Sequence, residues 1–167
     1  MRIPKSGHIV VALFAFTLLV AAGGRPAIIE ATRTGDKDAL RALIAKGANV
    51  NETEGDGSTA LHWATYHDDL QSAEALLKAG AKVNAANDLG ATPLWNASQN
   101  GSEAMVRRLL DAGANPNLAL LAGETPLMVA ARTGNPVVAE LLIAKGADVN
   151  AHATRNQTAL MWAVAQR

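Results

Sequence analysis

The sequence predicts an all-α fold, a solenoid of stacked helix-turn-helix units joined by short β-turn or hairpin connections. Three observations predict it: a strict internal period, helix-capping residues at fixed places in each period, and turn residues between the helices. The period is clearest in two columns. Gly-Ala pairs begin at residues 47, 80, 113 and 146, and asparagines stand at residues 51, 84, 117 and 150. Each step is 33 residues, and no insertion breaks the register.

Four further columns keep the same phase. They are threonines at 59, 92, 125 and 158, leucines at 61, 94, 127 and 160, alanines at 31, 64, 97, 130 and 163, and leucines at 43, 76, 109 and 142. Six columns in one phase exclude coincidence. The chain from about residue 28 onward is therefore one repeat array.

The first helix of each unit is predicted to open at a threonine. Thr92-Pro93 and Thr125-Pro126 place a capping hydroxyl before a proline at the first helical position, where the missing N–H would have had no partner. Leucine and alanine three residues apart then face one side, as an amphipathic helix requires. A glycine at 101 and at 134 is predicted to end this helix with a positive φ.

The second helix of each unit carries paired aliphatic residues, at 76–77, 109–110 and 142–143. It is predicted to stop at the Lys-Gly or Ala-Gly pair that follows. The segment from there to the next threonine is rich in glycine and asparagine, which favours an extended turn.

Composition excludes several classes of function. Hydrophobic residues make up 49% of the chain, enough for a sizeable core, and the 15 basic and 15 acidic residues cancel. A neutral chain without a Lys/Arg cluster has no electrostatic footprint for nucleic acid, so we expect no nucleic-acid partner. The absence of cysteine excludes disulfides, cysteine-rich zinc sites and a lipidated cysteine anchor.

Residues 1–24 are predicted to be a signal peptide. Arg2 and Lys5 give a positive start, residues 9–20 form an uncharged apolar run, and small residues follow. Cleavage after Ala22 or Gly24 would place the protein in the periplasm or the medium. The alternatives are a retained membrane anchor, although the strongly apolar run of 12 residues is short of the ~20 needed to span a bilayer, or a buried helix.

The repeat resembles the ankyrin repeat. The motifs that carry the resemblance are TALH, TPLW, TPLM and TALM at 59–62, 92–95, 125–128 and 158–161, and the endings GANVN, GAKVN, GANPN and GADVN. The resemblance covers residues 28–167. It divides the domain at 25–167 into an N-terminal repeat (25–51), full repeats at 52–84, 85–117 and 118–150, and a partial repeat at 151–167.

Several positions depart from the family pattern. Asp68 stands where the family has the glycine between the two helices, so we expect that turn to be strained or differently shaped. Leu120 replaces the acidic or amide residue that opens the turn before the TPLH motif, and Pro136 lies in the first turn of its helix, where proline is tolerated. The last repeat stops in its first helix, which suggests an incomplete array.

The resemblance implies a protein-binding concave face formed by the turn tips and the exposed side of the first helices. Trp, Tyr and Arg dominate interface energies, and three of the four Trp and Tyr residues fall in these columns. Carried over position by position, the predicted partner-binding residues are Asp56, Trp63, Tyr66, Asp88, Leu89, Asn96, Gln99, Leu121, Glu124, Val129, Arg132, Arg155 and Trp162.

Alternative interpretations stay open for some of these side chains. Trp63 and Tyr66 could instead cover the seam between repeats, which is the role we expect for Trp95 and Met128. The apolar residues 118, 120 and 121 could form a contact patch or simply pack locally.

No motif in the sequence indicates catalysis, a metal or a cofactor. The resemblance implies that His62 makes a structural hydrogen bond, and the HExxH, GxSxG and phosphate-loop patterns are absent. We therefore expect a non-enzymatic, monomeric scaffold that binds another protein outside the cytoplasm. Two alternatives are a targeting module of a longer exported enzyme with its catalytic domain beyond residue 167, and self-association through the C-terminal face.

Overall fold

The computed structural model describes residues 24–165. The predicted signal peptide lies outside these residues except for its last position, Gly24, so it stays a prediction.

The described residues form a helical repeat array, as the sequence predicts. They contain α1 (Ala27–Arg33), α2 (Lys37–Ala45), α3 (Ala60–Tyr66), α4 (Leu70–Lys78), α5 (Pro93–Asn100), α6 (Glu103–Asp111), α7 (Pro126–Thr133), α8 (Pro136–Ala144) and α9 (Ala159–Val164). Consecutive pairs make units one to four, and α9 belongs to the fifth. Within residues 24–165 the only β-pairing consists of isolated bridges, Thr53 with Thr59 and Ala153 with Gln157.

Side-chain caps set the start of most helices. The hydroxyls of Thr92, Thr125 and Thr158 accept the backbone N–H three residues on, and proline follows the first two at the first helical position. The even-numbered helices use other polar caps: Asp36, Asp69, Ser102 and Asn135. Each cap satisfies a donor that the helix itself leaves unpaired, so the predicted helix starts are confirmed.

The turn between the two helices of a unit requires a left-handed residue. Gly35, Gly101 and Gly134 fill this position with φ of 73°, 69° and 68°. Asp68 adopts the same conformation with φ of 53°, and the next N–H still bonds to the Ala64 carbonyl at 2.8 Å. The turn in the second unit therefore keeps the shape of the others, and the strain expected at Asp68 lies in its φ.

Two rows of helices enclose one core. The odd-numbered helices pack against one another in order, and the even-numbered helices form a second row behind them. Alanines at 64, 97 and 130 are fully buried between the odd helices. In the described part of the chain α9 packs chiefly on α7 and no helix follows it, so Leu160 is 73% exposed whereas its equivalents at 61, 94 and 127 are buried.

Asparagine side chains link each unit to the next. Asn51 donates from Nδ2 to the Gly80 carbonyl at 3.1 Å and accepts the Lys82 N–H at 2.8 Å. Asn84 repeats this bridge to Gly113 and Asn115 at 3.1 and 2.8 Å, and Asn117 repeats it to Gly146 and Asp148 at 2.9 and 2.8 Å. We call this pair of bonds the asparagine bridge.

The extended segments before each odd helix project side by side. We call residues 52–58, 85–91, 118–124 and 151–157 the fingers. One backbone bond of 2.9 Å joins each finger to the one before it, from Asp88 N–H to the Asp56 carbonyl, from Leu121 to Leu89 and from Thr154 to Ala122. The finger tips therefore form a continuous row along one edge of the array.

Among residues 24–165, no helix combines the length and apolarity needed to cross a membrane.

Replacing Asp68 by glycine should stabilise the array. Glycine adopts the left-handed conformation without a steric penalty, so we expect the free energy of unfolding to rise by about 1 kcal/mol. Urea unfolding followed by circular dichroism measures it.

The reverse change at the equivalent position is the matched control. A Cβ added at Gly35 meets no atom within 4 Å, so Gly35→Asp changes the backbone preference without a clash. It should destabilise the array by a similar amount. An Asp68→Gly variant no more stable than the parent would show that φ at residue 68 stores no strain.

Candidate partner-binding face

The predicted partner-binding residues lie along the fingers and the odd-numbered helices, and all but one are accessible. Four are half-buried: Trp63, Asn96, Glu124 and Trp162. Eight are exposed: Asp56, Tyr66, Asp88, Leu89, Gln99, Leu121, Arg132 and Arg155.

Val129 is the exception. Its side chain is 0% exposed, so the expectation that it contributes to a partner-binding surface is wrong. Helix α7 is flanked by α5 and α9, which carry the longer side chains of the same column, Asn96 and Trp162. Because the Val129 side chain is short and lies between these two half-buried side chains, it is removed from solvent. The repeat register gives the direction of a side chain but not its length relative to its neighbours.

A small groove brings four of the predicted residues together. Asp56, Trp63, Tyr66 and Asn96 line it, together with three residues that the sequence did not single out for binding, and its volume is about 230 Å³. The three additional residues are Ser58, His62 and Asn87. We call this the Trp63 groove.

Aromatic rings form one wall of the Trp63 groove. The rings of Trp63 and Tyr66 meet edge to face with centroids 5.9 Å apart, and the His67 ring stacks beside Trp63 at 5.8 Å. Tyr66 and His67 also meet edge to face, at 5.3 Å. Such ring pairs stabilise each other beyond simple burial, so the three side chains hold a defined arrangement. Tyr66 stays 62% exposed in it.

Glu54 fixes the orientation of the Trp63 indole. The Trp63 Nε1–H donates to Oε1 of Glu54, and Arg25 Nε donates to Oε2 of the same carboxylate. Arg25 also donates to Glu30 at 3.1 Å. Sequence reasoning missed both Arg25 and Glu54, because their contact joins a residue before the first helix to one 29 positions further along the chain.

Asp56 supplies a negative charge at the edge of the groove. The Ser58 N–H donates to its Oδ1 at 2.9 Å and the Ser58 hydroxyl to its Oδ2 at 3.0 Å. The bond from the Ser58 backbone lowers the pKa of the Asp56 carboxyl, and partial burial opposes this only in part. The carboxylate is therefore ionised at neutral pH.

His62 ties two units together from beneath the groove. Its Nδ1 accepts the Thr59 N–H at 3.1 Å, so Nε2 carries the proton and donates to the Ala91 carbonyl of the next unit at 3.0 Å. Burial lowers the pKa of His62 and keeps the ring neutral. This matches the structural role that the resemblance implies. In the same column Met128 is fully buried and Trp95 is half-buried with its Nε1 buried.

A second cluster lies between α7 and α9, the last described helix. The guanidinium of Arg132 lies over the Trp162 ring, 5.6 Å from its centroid. Both line a shallow cavity of about 230 Å³ with Gln157, Met161 and Ala165. The structure thus groups Arg132 with Trp162 and keeps them apart from the Trp63 groove.

The finger tips between the two clusters carry exposed leucines. Leu89 is 68% and Leu121 81% exposed, and the Leu121 N–H bonds to the Leu89 carbonyl, so the two lie on neighbouring tips. Leu118 and Leu120 are half-buried. Gln99, Glu124 and Arg155 line neither cavity.

The residues of this face provide a charge and aromatic surface for contacts with a partner. Asp56 carries the charge, Trp63 and Tyr66 carry the rings, and the described residues contain no group of three or more His, Asp or Glu side chains arranged to hold a metal ion. The arrangement can bind apolar and cationic groups by burial, ion pairing and ring contact.

The chain matches the family model described as ankyrin repeats (3 copies), over residues 8–87, 27–120 and 94–167. No curated protein matches it.

The buried His62 predicts a pH dependence of stability. Below its ordinary pKa of 6.5 the unfolded chain takes up a proton that the folded chain rejects, because the folded pKa is lower. The contribution of the neutral ring is present above pH 6.5 and is lost as the pH falls toward the folded pKa. His62→Met, which copies Met128 of the fourth unit, should therefore lose less stability than the parent between about pH 7 and pH 5.

Urea unfolding at each pH measures the effect. His67→Gln is the matched control, since it removes an exposed histidine at the opposite end of the same helix and leaves His62 in place. A His62→Met curve parallel to that of the parent would contradict the assignment.

Proposed function

The chain belongs to the ankyrin-repeat family, and from that premise we propose that it is a non-catalytic scaffold that binds a partner protein on its fingers and odd-numbered helices. Ankyrin repeats generally mediate protein–protein interaction. The even-numbered helices form the opposite row.

One observation carries this proposal: large side chains that dominate binding energies are accessible together on one face. Trp63 and Tyr66 line a groove, Leu89 and Leu121 project from adjacent finger tips, and Arg132 stacks on Trp162 further along. Exposed aromatic, arginine and apolar side chains concentrated on one surface mark an interface more often than single exposed residues do.

We further propose that the partner is met outside the cytoplasm and that the scaffold is a monomer. The charged start, apolar run and small-residue exit of residues 1–24 support export. Cleavage after Ala22 or Gly24 would retain Arg25 and so keep its bond to Glu54. N-terminal sequencing of the exported protein tests this, and an intact Met1 would count against it.

Photocrosslinking from single positions tests the binding face. A photoreactive residue at Gln99 or Leu121 should form adducts with a partner from the exported fraction of the producing cell. The same residue at the exposed positions Lys78 of α4 or Glu140 of α8 should not. Equal adducts from both pairs would contradict the assignment of the face.

Tyr66→Ala is the sharpest single substitution, since Tyr66 is largely exposed. We expect it to weaken binding of the crosslinked partner by about 1–2 kcal/mol while the helical content stays unchanged. Trp63→Ala is less informative because Trp63 also packs on the core and bonds to Glu54. Lys78→Ala is the control and should leave the affinity unchanged.

A further inference from the structure

The fingers and first helices of the second and third units carry charge of one sign only. Residues 51–66 and 84–100 contain the acidic residues Glu52, Glu54, Asp56 and Asp88 and no lysine or arginine. The corresponding stretch of the fourth unit, residues 117–133, contains Glu124 and Arg132 instead. Arg25 pairs with Glu54, so the negative charge at the Trp63 groove itself comes from Asp56, although the whole chain is neutral.

The chain itself places arginine beside both accessible tryptophans of the face. Arg25 bonds to the carboxylate that holds the Trp63 indole, and the Arg132 guanidinium lies over the Trp162 ring. Trp63 and Trp162 occupy the same repeat position. Arg33, which occupies the repeat position of Arg132 one unit before Trp63, is bound by Glu30 at 2.6 Å. Arg33, the counterpart of Arg132, is thus paired with Glu30 rather than with the Trp63 ring.

We infer that the Trp63 groove binds an arginine side chain of the partner protein. The guanidinium packs against the rings of Trp63 and Tyr66 and pairs with the Asp56 carboxylate, which stays accessible at the groove edge. Asn96 directs its Nδ2 to the His62 carbonyl at 3.4 Å, so its side-chain oxygen serves as a further acceptor. This inference rests on the proposed function and specifies what the partner presents there.

The groove matches this occupant in size and in chemistry. Its volume of about 230 Å³ is below the ~300–1,000 Å³ of sites that enclose whole small-molecule ligands and suits one side chain. A planar guanidinium stacks on aromatic rings and donates to several acceptors at once, which the compact ammonium of lysine does less well. Asp56 would repel an acidic side chain. A purely apolar side chain would leave the Asp56 carboxylate without an ion-pair partner.

The test uses the full chain and two probe peptides, tetra-arginine and tetracitrulline. Citrulline has nearly the shape of arginine without its charge. Two-dimensional ¹H–¹⁵N spectra resolve the indole N–H signals of the three tryptophans. We expect tetra-arginine to shift the Trp63 signal and leave that of Trp95 in place, since the Trp95 Nε1 is buried. We expect tetracitrulline to bind about tenfold more weakly or worse.

Two variants assign the contacts to the groove. Asp56→Asn keeps an oxygen for the Ser58 N–H, so the finger should keep its shape while the charge is lost. Tyr66→Leu removes one ring from an exposed position. Each should weaken tetra-arginine binding about tenfold. Glu140→Gln removes an exposed carboxylate from α8 and should leave the affinity unchanged, and circular dichroism checks that all three variants are folded.

Three results would overturn the inference: equal binding of the two peptides, an unshifted Trp63 signal, or the same loss in Glu140→Gln as in Asp56→Asn. An equal loss in Glu140→Gln would show that the peptide is attracted to surface charge in general. If the peptide test fails but photoreactive residues at Gln99 and Leu121 still form adducts, the proposed binding face stands and only the inference of a bound arginine is rejected. Absence of those adducts would instead count against the proposed function itself.

Discussion

One side-chain amide per unit holds the array in register. The carboxamide of Asn51, Asn84 or Asn117 offers a donor and an acceptor at once, and the next unit presents a glycine carbonyl and, two residues later, an N–H at matching distances. An inserted residue between the asparagine and the glycine would break both bonds. This explains in physical terms why the period stays at 33 residues without an interruption. The backbone bonds between fingers and the bond from His62 to Ala91 reinforce the same spacing.

Because backbone atoms and a few fixed side chains hold the register, other columns are free to vary. The column after the TPLH motif contains Trp63, Asn96, Val129 and Trp162, and the finger tips change from aspartate to leucine to arginine along the array. Variation there changes what the face can contact without changing the stack. The acidic groove around Trp63 and the Arg132–Trp162 pair are two outcomes of this freedom on one scaffold.

The sequence predicted the fold well because its signals are local and periodic. Thr92-Pro93 marks a helix start and Gly101 a helix end by short-range geometry alone, and both were placed correctly. Of the predicted partner-binding residues, the structure brings Asp56, Trp63, Tyr66 and Asn96 around one groove.

What the sequence left open depends on contacts between units. The burial of Val129 depends on how α5 and α9 flank α7, and no column records that. The bond from Arg25 to Glu54 joins a residue that precedes the first helix to the first finger. The left-handed Asp68 shows that bonds such as that from Asp69 to Ala64 can impose a conformation that the residue type itself disfavours.

The most direct test of this account is Asn84→Ala, with Asn150→Ala as its control, because the Asn150 side chain bridges nothing in the described part of the chain. Urea unfolding and hydrogen exchange of the Asn115 N–H, which Asn84 accepts at 2.8 Å, are the measurements. We expect Asn84→Ala to lower the free energy of unfolding by about 1–2 kcal/mol and to speed exchange at Asn115, whereas Asn150→Ala changes neither. Unchanged stability with Asn115 still protected, or an equal loss in the control, would contradict it.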